Sequence, residues 1–214
     1  MPYAVRRLLV GDNADSWRRA GFCIEENQLV LGKVAIEFAG SEGQRGIIGW
    51  KLDAIDGDID GIPTVEGSID LDATGAQAGQ PQSSNAVFAI DHVVVQTGDI
   101  DRTVSAFASA GLAERRSAMI KTRGGERRQS VVWAGRVIIE ILGPLEPIAD
   151  APSSLWGLAL VSSNLQLSKE VLGTYLSEPR DAVQPGRKIS TVNVGAFDIS
   201  VPLEIMSPTT PELL

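Results

Sequence analysis

The chain holds one histidine, His92, in 214 residues, and imidazole is the side chain whose ordinary pKa lies closest to neutrality. It can take and return a proton at physiological pH, or offer a lone pair to a metal ion. The single cysteine, Cys23, excludes an internal disulfide. It lies far from His92 in sequence with nothing nearby to activate a thiolate, so a buried structural role is expected. A third feature is electrostatic. Lys121, Arg123, Arg127 and Arg128 surround a Gly124-Gly125 turn on a chain of net charge −8. That cluster is either a solvated hairpin tip or a lid that attracts an anionic ligand. Gln184-Pro185-Gly186-Arg187-Lys188 reads as a Pro-Gly turn whose two cations face solvent. No phosphate-binding loop, dinucleotide fingerprint or nucleophile elbow is present.

The elements that must position His92 recur along the chain. A strand, a polar break, a helix-like stretch and a glycine appear as Val5 to Val10, Gly11-Asp12-Asn13, Ala14 to Ala20 and Gly21. They return as His92 to Thr97, Gly98-Asp99, Ile100 to Ala110 and Gly111, and again as Gly157 to Val161, Ser162-Ser163-Asn164, Leu165 to Leu172 and Gly173. The Asp or Asn supplies an N-cap acceptor, and the glycine permits a left-handed helix end. Each unit closes with a hairpin-like pair of apolar strands whose second member carries a carboxylate: Glu37, Glu140 and Glu204. A fourth, incomplete copy starts near Gly46 and reaches Asp58-Ile59-Asp60, an echo of Asp99-Ile100-Asp101 without a closing hairpin. The boundaries drawn are an N-terminal module plus partial second module over 1–67, a Gly/Pro/Gln/Ser linker over 68–86, and paired modules over 87–208, split as 87–146 and 154–208.

Composition narrows the function classes. Apolar residues make up 43% of the chain and charged residues 21%, as in an ordinary folded protein, and no run is long enough to span a bilayer. The start, Met1 to Val10, does not read as a signal peptide, so a cytoplasmic protein is expected. The acidic balance argues against nucleic-acid binding. Trp17, Trp50, Trp133 and Trp156 read first as buried indoles, with Trp133 and Trp156 near enough to the predicted cleft strands to contact an apolar ligand.

Ile90-Asp91-His92-Val93-Val94-Val95, running to Asp99-Ile100-Asp101-Arg102 and closed by Ile138-Ile139-Glu140-Ile141-Leu142-Gly143-Pro144, resembles a module of the vicinal-oxygen-chelate superfamily. That superfamily includes the glyoxalases, bleomycin-resistance proteins and extradiol dioxygenases. The resemblance implies an α+β fold of repeated βαβββ modules, with a tandem pair forming a curved mixed sheet around a cleft. It also implies a metal set of one His and one Glu from each paired module. Counting within the repeats, seven residues before Asp99 is His92, before Asn164 is Gly157, before Asp12 is Val5 and before Asp58 is Lys51. The set therefore becomes His92, Glu140 and Glu204 with one position empty at Gly157.

Those three residues are the candidate catalytic and metal-binding groups, with one divalent ion as the possible cofactor. Without metal, His92 flanked by carboxylates is a general-base or ligand-contact candidate. The expected function is a glyoxalase-like small-molecule protein with lyase- or isomerase-type activity over an incomplete metal site. The alternatives are a non-enzymatic binding or sequestration protein of the bleomycin-resistance type, or a decayed assembly module. The expected partner is a small-molecule ligand, with no nucleic acid and no membrane. An odd number of complete copies also leaves a sheet surface without an obvious partner, which points to a homodimer.

Overall fold

The structure, a computed structural model, describes residues 3–67, 83–122 and 124–209. The linker reading of 68–82 and the cation Arg123 lie outside the described residues. At the centre stands an eight-stranded sheet built from two βαβββ modules. The first runs β5 (Val87–Gln96), α2 (Ile100–Ser109), β6 (Glu114–Thr122), β7 (Gly125–Ala134) and β8 (Val137–Gly143). The second runs β9 (Ser154–Ser162), α3 (Leu165–Leu172), β10 (Arg180–Asp181), β11 (Lys188–Thr191) and β12 (Leu203–Met206). The spatial order is β10-β11-β12-β9-β5-β8-β7-β6, so the two first strands meet in the middle and each module fans outwards. β5 and β9 pair antiparallel, while β5–β8 and β9–β12 are parallel. This is the α+β architecture of paired βαβββ modules expected from the repeats.

Local chemistry explains the elements. Asp99 and Asn164 accept from the amides of Arg102 and Leu167, capping α2 and α3, and Asn13 does the same for α1 (Ala14–Arg19) through Asp15. Gly21 and Gly111 follow their helices at φ near +85° and +89°, where a Cβ would be strained. α2 buries Ile100, Thr103 and Phe107 at helical spacing, one stripe packed on the sheet. The third closing pair departs from a tight hairpin: β11 and β12 are antiparallel, but residues 192–202 join them through a 3₁₀ turn at Val194–Phe197.

The N-terminal half repeats this plan in shortened form. β1 (Val5–Val10), α1, β2 (Gln28–Leu31) and β3 (Val34–Phe38) make one module lacking a strand, and β4 (Ile47–Leu52) pairs antiparallel with β1 as β9 does with β5. Residues 62–65 lie beside β4. Trp50 bridges Thr64 in parallel, and the Trp50 amide donates to the Pro63 carbonyl at 3.1 Å. Leu158 does the same to Pro202 at 3.0 Å beside β12. The fourth copy is therefore a first strand and a stub of the last. Asp58-Ile59-Asp60 forms no helix, although it echoes the start of α2. The N-terminal copies pair with each other through β1 and β4.

Strand register revises the equivalences obtained by counting. Besides a bulge at Phe88 in β5, each first strand carries one extra, bulged residue: Arg6, Ile48, Asp91 and Trp156. The residue that follows is Arg7, Gly49, His92 or Gly157. The counterpart of His92 is thus Arg7 rather than Val5, and in the fourth copy Gly49 rather than Lys51. Counting failed because α1 is capped by Asn13, not Asp12, and its cap stands six rather than seven residues beyond Arg7, and because the fourth copy has no helix to count from.

One apolar core joins the halves. Trp50 and Phe107, both fully buried, meet edge to face at 5.9 Å. Two carboxylates, one buried and one part-buried, pin the seam. Asp12 accepts from Trp17 Nε1 at 3.0 Å and from the amide and hydroxyl of Ser200, and it pairs with Arg45. Asp60 accepts from Arg102, Thr103 and Ser153. The end of the stretch read as linker is packed as well: Asn85 is fully buried and donates to the Ala20 carbonyl.

Candidate active site

His92 sits on the central strand of the eight-stranded sheet, where the Asp91 bulge turns two successive side chains towards each other. The imidazole donates from Nδ1 to Asp91 Oδ2 at 2.9 Å, and Nε2 faces Glu140 Oε2 at 3.2 Å. Glu140 also accepts from Gln129 Nε2 at 2.6 Å. Behind Asp91, Arg187 Nη1 donates to Oδ1 at 2.5 Å and Arg187 Nε donates to the Ser207 carbonyl. A continuous line, Arg187–Asp91–His92–Glu140–Gln129, thus crosses the sheet. His92, Glu140 and Gln129 line a cleft of about 770 Å³ together with Glu204, Arg180, Arg115, Arg116, Trp133 and the apolar side chains Val131, Ile138, Ile189 and Met206. That volume suits a small organic molecule.

The electrostatics of the line are set by burial against charge. Burial pulls the His92 pKa down. The Asp91 hydrogen bond and the charges of Glu140, Asp91 and Glu204 outweigh it, so the imidazole is held above its ordinary 6.5. For Asp91, burial pushes the pKa up, but hydrogen bonds from His92 and Arg187 and their charges carry it below the ordinary 3.8. Both directions favour one arrangement, a charged imidazole between carboxylates with a guanidinium closing the far end.

The three residues expected to hold a metal share the cleft but do not make a coordination sphere. His92 has a carboxylate at each nitrogen, and Glu204 is engaged by Arg180 Nη2 at 2.8 Å and by Thr191 Oγ1 at 3.2 Å. Among the described residues, no three His, Cys, Asp or Glu side chains converge at metal-binding spacing. The empty fourth position is also closed sterically. A Cβ on Gly157 would lie 2.9 Å from the Pro202 carbonyl oxygen, so no second histidine side chain fits there. As placed, the donor set does not fit a divalent ion.

Other expectations meet mixed outcomes. Trp133 lines the cleft and is half exposed; Trp156, equally exposed, is the bulged residue of β9 and is not part of the lining. Trp17 and Trp50 are fully buried, as expected, but only the Trp17 indole N–H is paired, to Asp12; among the described residues the Trp50 N–H has no partner. Cys23 is partly buried and is not part of the cleft lining. Of the turn cations, Lys121, Arg127 and Arg128 are all absent from the cleft wall, and Arg128 is bound at both nitrogens to Asp101 at 2.8 Å. Arg187 does not face solvent; it is 5% exposed because Asp91 and the Ser207 carbonyl hold it inside.

Asp91, Arg187 and Gln129 are the site residues that sequence reasoning missed. Strict alternation places Asp91 on the face opposite His92, and only a bulge brings both together. A usable signal was adjacency: an acid next to the chain's one histidine. Arg187 comes from a distant turn and left no such trace.

No family model matches the sequence, and no curated protein matches it significantly. Solved structures similar to it include methylmalonyl-CoA epimerase from Mycobacterium tuberculosis, at 16% identity and TM-score 0.48, covering 65% of this chain and 97% of that one. A Streptomyces coelicolor methylmalonyl-CoA epimerase in complex with 2-nitronate-propionyl-CoA matches at 18% identity and TM-score 0.44, covering 56% and 97%. A hypothetical protein from Bacillus halodurans matches at 15% and 0.44, covering 56% and 94%.

Proposed function

We propose that the cleft binds a small organic molecule and that Glu140, with His92 behind it, moves a proton on that molecule, an isomerase- or lyase-type role. The observation that carries this reading is the Asp91–His92–Glu140 line ending in the cleft. A carboxylate at a cleft wall can remove an acidic proton next to a carbonyl and return it. Asp91 fixes the ring of His92, so its second nitrogen is presented to Glu140 in one orientation. The imidazole, held above its ordinary pKa, brings positive charge beside the group that would gain and lose the proton, in a site partly withdrawn from water. Gln129 holds the other carboxylate oxygen. Glu204 takes a supporting part, orienting Arg180 and adding its charge to the field at His92.

A second reading, binding without turnover, is favoured by the single imidazole: the paired module offers Gly157 where a second one would stand. Proton exchange separates the two. A panel of carbonyl-activated carbon acids is incubated in D₂O with the protein, and deuterium incorporation is followed by NMR. The enzyme reading predicts incorporation into at least one compound, falling by about 10²-fold or more in Glu140→Gln. Compounds that shift the His92 resonances without any exchange would leave a binding or sequestration protein.

A further inference from the structure

Charge bookkeeping within the cleft points to its ligand. Three carboxylates line it, and each already has a cationic partner: Glu140 has His92, Glu204 has Arg180, and Asp181 has Lys188 at 2.7 Å. Two of the lining cations have none. Arg115 makes no ion pair or side-chain hydrogen bond among the described residues, and Arg116 makes only a 3.5 Å contact with the neutral Gln129. The cleft of an acidic protein therefore carries a local excess of two uncompensated guanidinium groups, which focuses anions rather than repelling them.

Their position ties them to the proposed chemistry. Arg116 pairs with Val131 across β6–β7, and Val131 pairs with Glu140 across β7–β8, so the three form one row. Two strand spacings separate the ends, roughly 10 Å between backbones. The floor between them is apolar, made by Val131 with Ile138 and the half-exposed Trp133. Arg115 is the bulged residue of β6, where the register shifts between Glu114 and Arg116, and a bulge can bring neighbouring side chains to one face.

We infer that the cleft takes a small organic anion: an acidic group held by Arg115 and Arg116, and an apolar body lying over Val131 and Trp133 that brings a carbon a few bonds away to Glu140. This rests on the reading of the cleft as the functional site and specifies its ligand class. Arginine suits the role because its planar fork meets carboxylate, sulfonate or phosphate oxygens in pairs and stays charged at every working pH.

A matched pair of fluorescent probes tests it. Anilinonaphthalene sulfonate and phenylnaphthylamine share an aromatic body and differ by the sulfonate. Each is titrated into the full chain by fluorescence, while NMR of the single imidazole reports whether it enters the cleft. The inference predicts that both probes shift the His92 resonances and that the sulfonate binds about tenfold more tightly or better. The double variant Arg115→Glu/Arg116→Glu, checked for folding by circular dichroism, should abolish that preference and leave the amine within about twofold of wild type. The Arg115→Lys/Arg116→Lys variant should keep most of it, and Arg136→Glu, on an exposed turn outside the cleft lining, should change nothing. Equal affinity for the two probes, with His92 shifted by both, would overturn the anion inference while leaving the cleft as a binding site. Probes that bind without moving His92 would remove the inference and the cleft reading together.

Discussion

The two halves of this chain are the same design at different stages of completeness. In the C-terminal pair, the residue after the first-strand bulge is His92, which faces Glu140 at 3.2 Å in an open cleft. In the N-terminal pair, the same positions hold Arg7 and Glu37, 3.1 Å apart, and Arg7 also donates to the Glu66 carbonyl of the segment that follows the strand stub. Gly157 and Gly49 correspond, each with a proline carbonyl close over its Cα: Pro202 in one case, Pro63 in the other. Glu204 is matched by Val65. The carboxylate closing the first module of each half, Glu140 or Glu37, is thus common to both halves. What distinguishes them is the partner, since a guanidinium keeps its proton at any working pH and an imidazole does not. One half is a fixed ion pair; the other can exchange a proton.

The largest effect expected concerns how far the halves are one body. Trp50→Ala, on the N-terminal side of the seam, removes the partner of Phe107 and should destabilise the whole chain by about 3–5 kcal/mol in a single urea transition. A separate transition, with the C-terminal half unchanged, would make the halves independent. Asp12→Ala should cost about 3 kcal/mol by the same measurement, because the buried Trp17 Nε1 and the Ser200 amide lose their acceptor. Gly157→His, which restores the fourth position of the metal set, should instead destabilise by about 2 kcal/mol through the clash with Pro202, and calorimetry with Mn²⁺ or Zn²⁺ should show no ion bound per chain before or after. Arg7→Met should change stability by less than about 1 kcal/mol, since a partly buried ion pair is often replaceable by an apolar side chain. It should leave the His92 resonances in place.

The recurrence of strand, cap, helix, glycine and closing carboxylate was enough to read the module, because each of those steps is enforced locally by capping and by the left-handed glycine. It was also enough to bring His92, Glu140 and Glu204 to one cleft. It could not show that Asp91 joins them, since a bulge is a register event between two strands and leaves no trace in the alternation of one. Nor could it separate Trp133 from Trp156. Both alternate plausibly, but one is a bulged residue whose direction depends on pairing with β5. The role of Asp60, whose neighbours resemble a helix start, is set by Arg102, Thr103 and Ser153 from the other half.

The pH dependence of stability follows from the same line of charges. Asp91 and Asp60 are both held below the ordinary 3.8; in Asp60 burial opposes, and the hydrogen bonds from Arg102, Ser153 and Thr103 prevail. Their contribution is present above that value and fades as pH falls through their lowered pKa values. The contribution of His92 runs the other way, complete below 6.5 and lost as pH rises through its raised pKa. Chemical unfolding across pH should therefore show a modest maximum between these limits, with the alkaline shoulder missing in His92→Gln.

The most direct test of the account is the titration of the one imidazole in the chain, followed by ¹H–¹⁵N NMR in wild type, Asp91→Asn and Glu140→Gln. With a single histidine there is no assignment to dispute. The account predicts a wild-type pKa above 6.5 that falls in both variants, with Nδ1 protonated throughout because it donates to Asp91. A wild-type value at or below 6.5, or one that neither substitution moves, would contradict the charged relay on which the proposed chemistry stands.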